Sequence, residues 1–269
     1  MNGSGVYNNS QTALGNVRFG FGILSLILAG PTIMGNALII TAIIKTTSLR
    51  TPGYILLSGL AISDFGVGIN AFLVQGIARL SNNSWWSVAY SSAMVTFFVG
   101  GSLVTLLAVS GDRVLALTFH LRYVTMVTNI RAVLLLVFIW ATAAVYPVLS
   151  SISASITVVI IITVNFALNC KIYLVVRRHQ NLISIQGQAG DAISVMRRRK
   201  SSLNVIYIFA VFLGCTLPWV LCTIVEVYWI ISNCSLQLLY LNSLFSPILY
   251  CYRIRDIRKA VLKLIKCKD

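Results

Sequence analysis

Val109-Ser110-Gly111-Asp112-Arg113-Val114 closes a run of 27 residues, Trp85 to Gly111, that carries no charge. A run of that length crosses the roughly 30 Å hydrocarbon layer as one tilted helix. An adjacent acid and base then stand at its exit. Taken alone, the pair reads as an interface anchor, with Arg113 snorkelling to the headgroups and Asp112 its incidental neighbour. The sequence on either side gives it a different meaning.

The chain has 269 residues, of which 58% are hydrophobic and 10% charged, with a mean hydropathy of +0.87. That is too apolar for a soluble domain of this size and predicts a polytopic membrane protein. Residues 1 to 17 are polar and uncharged and show no cleavable signal pattern, so the first span is expected to direct insertion itself. Further nearly uncharged runs cover Phe19 to Ile44, Gly53 to Ala78 (broken by Asp64), Ala132 to Cys170, and Ser201 to Tyr252 (broken by Glu226). As one helix the 39 residues from Ala132 to Cys170 would measure about 58 Å, twice the hydrocarbon thickness, so the run must fold back once. Ser150 to Ser155, just after Pro147, is the expected bend. By the same arithmetic Ser201 to Tyr252 makes two spans, with a turn expected near Ser232-Asn233-Cys234-Ser235. The total is seven.

With the N-terminus outside, 19 of the 21 Lys and Arg fall in or beside cytoplasmic segments, leaving only Arg18 and Arg79 outside. The +15 balance therefore reads as topology, and nucleic acid is not an expected partner. Glycosylation sequons at Asn2, Asn8, Asn82 and Asn233 all fall outside in the same arrangement. Five of the six cysteines, Cys170, Cys215, Cys222, Cys251 and Cys267, lie in spans or at their cytoplasmic ends, so no disulfide framework is expected. A Cys222 to Cys234 bridge is left open.

Asp64 lies deep in a span, where a carboxyl is costly unless it faces the bundle interior and finds partners. Two readings stand: a protonated carboxyl satisfied by hydroxyls and amides, or a cation site completed by Ser102, Asn242 and Ser243 at matching depth in two other spans. Pro218 and Pro247 fall mid-span and give the sixth and seventh helices places to bend. Arg253 to Lys268 reads as an interfacial helix, with Ile254, Ile257, Val261, Leu264 and Ile265 forming an apolar stripe beside Arg255, Arg258, Lys259, Lys263 and Lys266. Cys267 at its end is either a palmitoylation candidate or a free thiol.

These landmarks resemble the rhodopsin-like (class A) G-protein-coupled receptors over nearly the whole chain. The residues that carry the resemblance are Gly35-Asn36, Leu49-Arg50-Thr51-Pro52, Leu60-Ala61-Ile62-Ser63-Asp64, Asp112-Arg113-Val114 in place of Asp-Arg-Tyr, Trp140, Cys215-Thr216-Leu217-Pro218, and Asn242 through Pro247 to Tyr250. The resemblance implies an all-α seven-transmembrane bundle (residues 19–252) behind an extracellular N-terminus (1–18). A cytoplasmic amphipathic helix and tail (253–269) complete the plasma-membrane receptor. It implies coupling to a heterotrimeric G protein through Arg113, toward which Tyr250 swings, and through Leu121 as an apolar knob in His120-Leu121-Arg122-Tyr123. Arg198 takes the inner helix 6 position where many relatives hold Arg113 with an acid. Asp64, Ser102, Asn242 and Ser243 match the family's sodium pocket, the one non-protein component implied.

Departures from the pattern limit the ligand. Val88 replaces the usual helix 3 cysteine, and the second extracellular loop is almost absent, as in melanocortin receptors. Their acidic cluster, however, would fall on Val74, Val88 and Ser92. Amine receptors place an Asp at Val95, opsins a lysine at Tyr240, and adenosine receptors an Asn at Thr223. What remains, Val95, Val99, Trp219, Thr223 and Tyr240 with Glu226 at the rim, fits an apolar or weakly polar ligand. An enzyme is not expected, because Asp64 has no acidic partner and His120 and His179 lie in loops. A transporter, for which the sequence offers no internal repeat, and a receptor homologue that does not signal are the alternatives.

Overall fold

The computed structural model describes the backbone at 3–80, 84–119, 122–149, 154–186, 189–225 and 228–266. Side chains are described at 15–77, 79–80, 93–119, 122–145, 157–178, 202–222, 224–225 and 228–266. The described residues form seven long helices and a short eighth: α1 (Gly3–Lys45), α2 (Pro52–Asn70), α3 (Ser84–Thr118), α4 (Asn129–Leu149), α5 (Ala154–Gln186), α6 (Ala189–Val225), α7 (Trp229–Arg253) and α8 (Arg255–Ile265). Helix α1 packs on α2 and α7, α2 on α3 and α4, α3 on α5, and α6 on both α5 and α7, which closes the ring.

The bundle is inverted relative to a soluble protein. Met34 (69% exposed), Phe138 (65%), Ile160 and Ile248 face outward, whereas Asn36, Ser63, Asp64, Asn165, Asn169 and Asn242 are buried. Only a solvent as apolar as lipid tails makes that exterior stable, and only helices satisfy the backbone within it. The inner amides tie helices together. Asn36 Nδ2 donates to the Ser243 carbonyl at 3.0 Å, Asn169 Nδ2 to Ser110 Oγ at 3.1 Å, and Asn165 Nδ2 to the Leu103 carbonyl at 3.3 Å.

Local sequence sets the helix ends. Thr51 is extended (φ −117°, ψ 156°) because it precedes Pro52, which then opens α2 at a position that needs no N–H donor. Helix α2 does not stop at Asn70: Ala71–Ile77 continue as a π-helix and Ala78–Leu80 as a last α-turn. Gly76 in the π-segment lies so close to the Leu26 side chain of α1 that a Cβ there would collide with it. In α8, Ile257, Ala260 and Val261 are buried against α1 and α7, while Arg258, Lys259 and Lys263 are exposed. Tyr54 Oη donates to Asp256 Oδ2 at 3.1 Å, pinning the start of α8 to α2.

Two expectations are corrected. The turn between the sixth and seventh spans falls before Trp229, and Ser232 to Ser235 lie within the first turns of α7. Their polar groups serve the helix, with Ser235 Oγ donating to the Ser232 carbonyl at 2.8 Å. Asn233, expected on a loop as a glycosylation acceptor, is 6% exposed and donates from Nδ2 to the Trp229 carbonyl at 2.7 Å, so it is not an accessible acceptor. Cys222 and Cys234 both carry free thiols. The expected bend after Pro147 agrees with α4 ending at Leu149 and α5 beginning at Ala154.

Candidate functional site

Two polar assemblies and an outer, largely apolar cluster lie along the bundle. At the inner end of α3, Asp112 and Arg113 form an ion pair whose side chains are 3% and 19% exposed. Tyr123 Oη, from the single helical turn Tyr123–Met126, donates to the second Asp112 oxygen at 2.6 Å. Burial and the Asp112 carboxylate push the Tyr123 phenol upward, so it stays a proton donor to that carboxylate. Gly53 of α2 lets the Arg113 guanidinium approach, since a Cβ at Gly53 would collide with it. At the same end Arg253 of α7 holds α6. Its guanidinium lies 3.9 Å from the Tyr207 ring centroid, and its carbonyl accepts from Asn204 Nδ2 at 3.3 Å.

The middle assembly surrounds Asp64. A cavity of about 10 Å³, room for one water-sized occupant, is lined by Asp64, Ser102, Asn242, Ser246 and Tyr250 among others. The Ser243 and Ser246 hydroxyls lie close to the Asp64 carboxyl, and Ser246 Oγ donates to the Asn242 carbonyl at 3.1 Å. Ser102 Oγ donates to Ser63 Oγ at 2.7 Å, which donates in turn to the Leu60 carbonyl at 2.8 Å. The structure thus brings Asp64, Ser102, Asn242 and Ser243 together, and it adds Ser63 and Ser246. Their positions carried a signal: Ser63 precedes Asp64, and Ser246 follows Asn242 by one helical turn. These oxygens suit a small hard cation.

Outward of this cluster, Val95, Val99 and Tyr240 are buried, and Trp219 packs half-buried against the core beside the buried Thr216. Pro218 and Pro247 lie inside α6 and α7. The buried Tyr240 hydroxyl lies near Gln75 of the π-segment with no hydrogen-bond partner among the described residues. The side chains of Leu121, Arg198, Thr223, Glu226, Cys267, Asn2, Asn8, Asn82, Val88 and Ser92 lie outside the described residues.

With this geometry in place, the similarities to known proteins are informative. The 7 transmembrane receptor (rhodopsin family) pattern matches residues 35–157. G-protein coupled receptor 12 of Rattus norvegicus is 26% identical over 86% of this chain and 77% of its own length. Melanocortin receptor 4 of Danio rerio is 24% identical over 88% and 81%, and G-protein coupled receptor 3 of Homo sapiens is 24% identical over 84% and 76%. Over residues 35–157 the chain is similar to the rhodopsin-like, class A G-protein-coupled receptors, and over most of its length it is similar to melanocortin receptors. These relatives are, by name, G-protein-coupled and melanocortin receptors, and they agree with the bundle of apolar, membrane-spanning helices seen here.

Proposed function

We propose that this receptor, its N-terminus outside, answers an apolar or weakly polar ligand held among Val95, Val99, Trp219, Thr223 and Tyr240, with Glu226 at the rim. The signal passes through bending of α6 and α7 at Pro218 and Pro247 to Arg113, which with Leu121 engages the G protein as Tyr250 moves inward. The observation that carries this reading is the enclosed Arg113–Asp112–Tyr123 network, a charged group held in reserve at the inner end of α3. A cation must be released from a partner before it can serve another surface, and the network supplies that partner.

Sodium is the proposed occupant at Asp64, with Ser102, Asn242 and Ser243 as further oxygens, and it favours the resting bundle. An ion acts on such an equilibrium only through different affinities for the two states. The Asp64 cavity and the serine hydroxyls against the carboxyl support this. Cys267 is proposed as an acylation site that adds to the lipid contact of α8. Asn2, Asn8 and Asn82 remain proposed glycan acceptors.

The test is nucleotide exchange on a panel of purified heterotrimers by the full chain in vesicles, compared with Arg113→Ala. Exchange above empty vesicles that falls at least tenfold in the variant is expected. No exchange with any heterotrimer, at verified folding, would favour the non-signalling homologue instead.

A further inference from the structure

At the end of the bundle opposite Arg113, two guanidinium groups crowd one aromatic ring. Arg79, just beyond the π-segment, packs its Cβ against Gly22 of α1. Its guanidinium lies 6.0 Å from the Trp229 ring centroid and 5.9 Å from that of Phe21, while the Arg18 guanidinium lies 5.5 Å from Trp229. Arg79 Nη2 donates to Asn233 Oδ1, and Nη1 is buried with no hydrogen-bond partner.

The acidic residues among the described ones are Asp64, Asp112 and Asp256. Asp64 is committed to the mid-bundle cluster, and the other two belong to the Arg113 end. No described carboxylate therefore neutralises the Arg18–Arg79 pair. Aromatic faces offset only part of the cost of withdrawing a guanidinium from water, and an idle buried N–H adds to that cost. Burial pushes Arg79 below its ordinary range and Arg18 pushes the same way, against an opposing pull from Tyr240. A planar fork with an idle donor matches carboxylate or phosphate oxygens. The residues around it are apolar and outward-facing: Phe19, Ile23, Ile77, Leu80 and Ile230 are all exposed on the lipid side.

We infer that Arg79, with Arg18, binds the carboxylate or phosphate head of an amphiphile whose chain lies along the apolar surface between α1, α2 and α7. This goes beyond the ligand reading above: the amphiphile sits on the outer surface of the bundle, apart from the buried pocket at Val95 and Val99, and Tyr240, close to Arg79, lies at the inner edge of the head site.

The experiment is thermal unfolding of the purified full chain in a non-ionic detergent with dodecyl phosphate, inorganic phosphate or dodecanol, using wild type, Arg79→Gln and Asn233→Asp. In wild type, dodecyl phosphate at a hundredfold excess over its Kd should raise the midpoint by on the order of 5 °C. In Arg79→Gln the rise should vanish. Asn233→Asp places a resident carboxylate against Arg79 and should also abolish the rise, which keeps the test decisive if Arg79→Gln fails to fold. An equal rise with inorganic phosphate upholds the anion site and counts against an apolar chain. Equal rises with dodecanol, undiminished in both variants, show an apolar surface site alone and overturn the anion site. No rise with any compound overturns this proposal and leaves the reading of the buried pocket standing.

Discussion

Replacing Tyr207 by leucine removes the ring on which Arg253 rests while keeping an apolar side chain of similar length on α6. The guanidinium-to-centroid distance of 3.9 Å is well within cation–π range, but Tyr207 is 50% exposed, so the lower part of the usual range applies, about 0.5–1 kcal/mol. The Asn204 to Arg253 hydrogen bond survives the substitution because it uses the backbone carbonyl of Arg253. If the contact holds the inner end of α6 against α7 at rest and is lost when α6 moves, the whole difference falls on the resting state. Ligand-independent activity should then rise about two- to fivefold. The assay is nucleotide exchange on a purified heterotrimer with receptor matched for folded amount, and Arg253→Gln should behave likewise. Unchanged basal exchange in both variants, or a gain tracking loss of folded protein, would refute the reasoning.

If Arg198 takes the inner helix 6 position that the resemblance implies, the Arg197-Arg198-Arg199-Lys200 run replaces attraction with repulsion at Arg113. Arg198→Glu should therefore lower basal exchange, and Asp112→Asn, which removes the partner of both Arg113 and Tyr123, should raise it, each by about fivefold for roughly 1 kcal/mol. Sodium should raise the unfolding midpoint of wild type relative to a bulky organic cation at equal ionic strength. The difference should disappear in Asp64→Asn; its persistence there would remove Asp64 as the ion's ligand. Trp219→Ala, made beside the small Thr216, should change basal exchange at least twofold at matched surface expression, whereas equal loss of expression and signal would make Trp219 a packing residue only.

Much of this architecture is legible in the sequence because lipid imposes a simple rule: a charge-free run must be helical, and its length fixes how often it crosses. The fold-back of Ala132 to Cys170 follows from length alone. Ser232 to Ser235 mislead because serine and asparagine signal a turn in water, whereas here Ser235 bonds to its own helix and Asn233 to Arg79. The Asp64 cluster is half legible, since Asp64 announces itself by its cost while Ser63 and Ser246 look like ordinary small residues. Tyr123, Tyr207 and Arg253 are opaque in sequence, because their pairings join segments 11 and 46 residues apart, and composition says nothing about which loop or helix end a side chain reaches.

The π-segment in the second span has a consequence for how this receptor is compared with its relatives. A widened turn absorbs one residue more than an α-turn, so every side chain beyond it is rotated by about 100° relative to a straight helix of the same sequence. Counting outward from Asp64 therefore assigns Val74, Gln75 and Arg79 to one compass bearing in a straight-helix relative and to another in this chain. A shared alignment column past Asn70 is not a shared location, and an acidic side chain grafted at Val74 to imitate a melanocortin receptor would face a different neighbour from the one it was copied to meet.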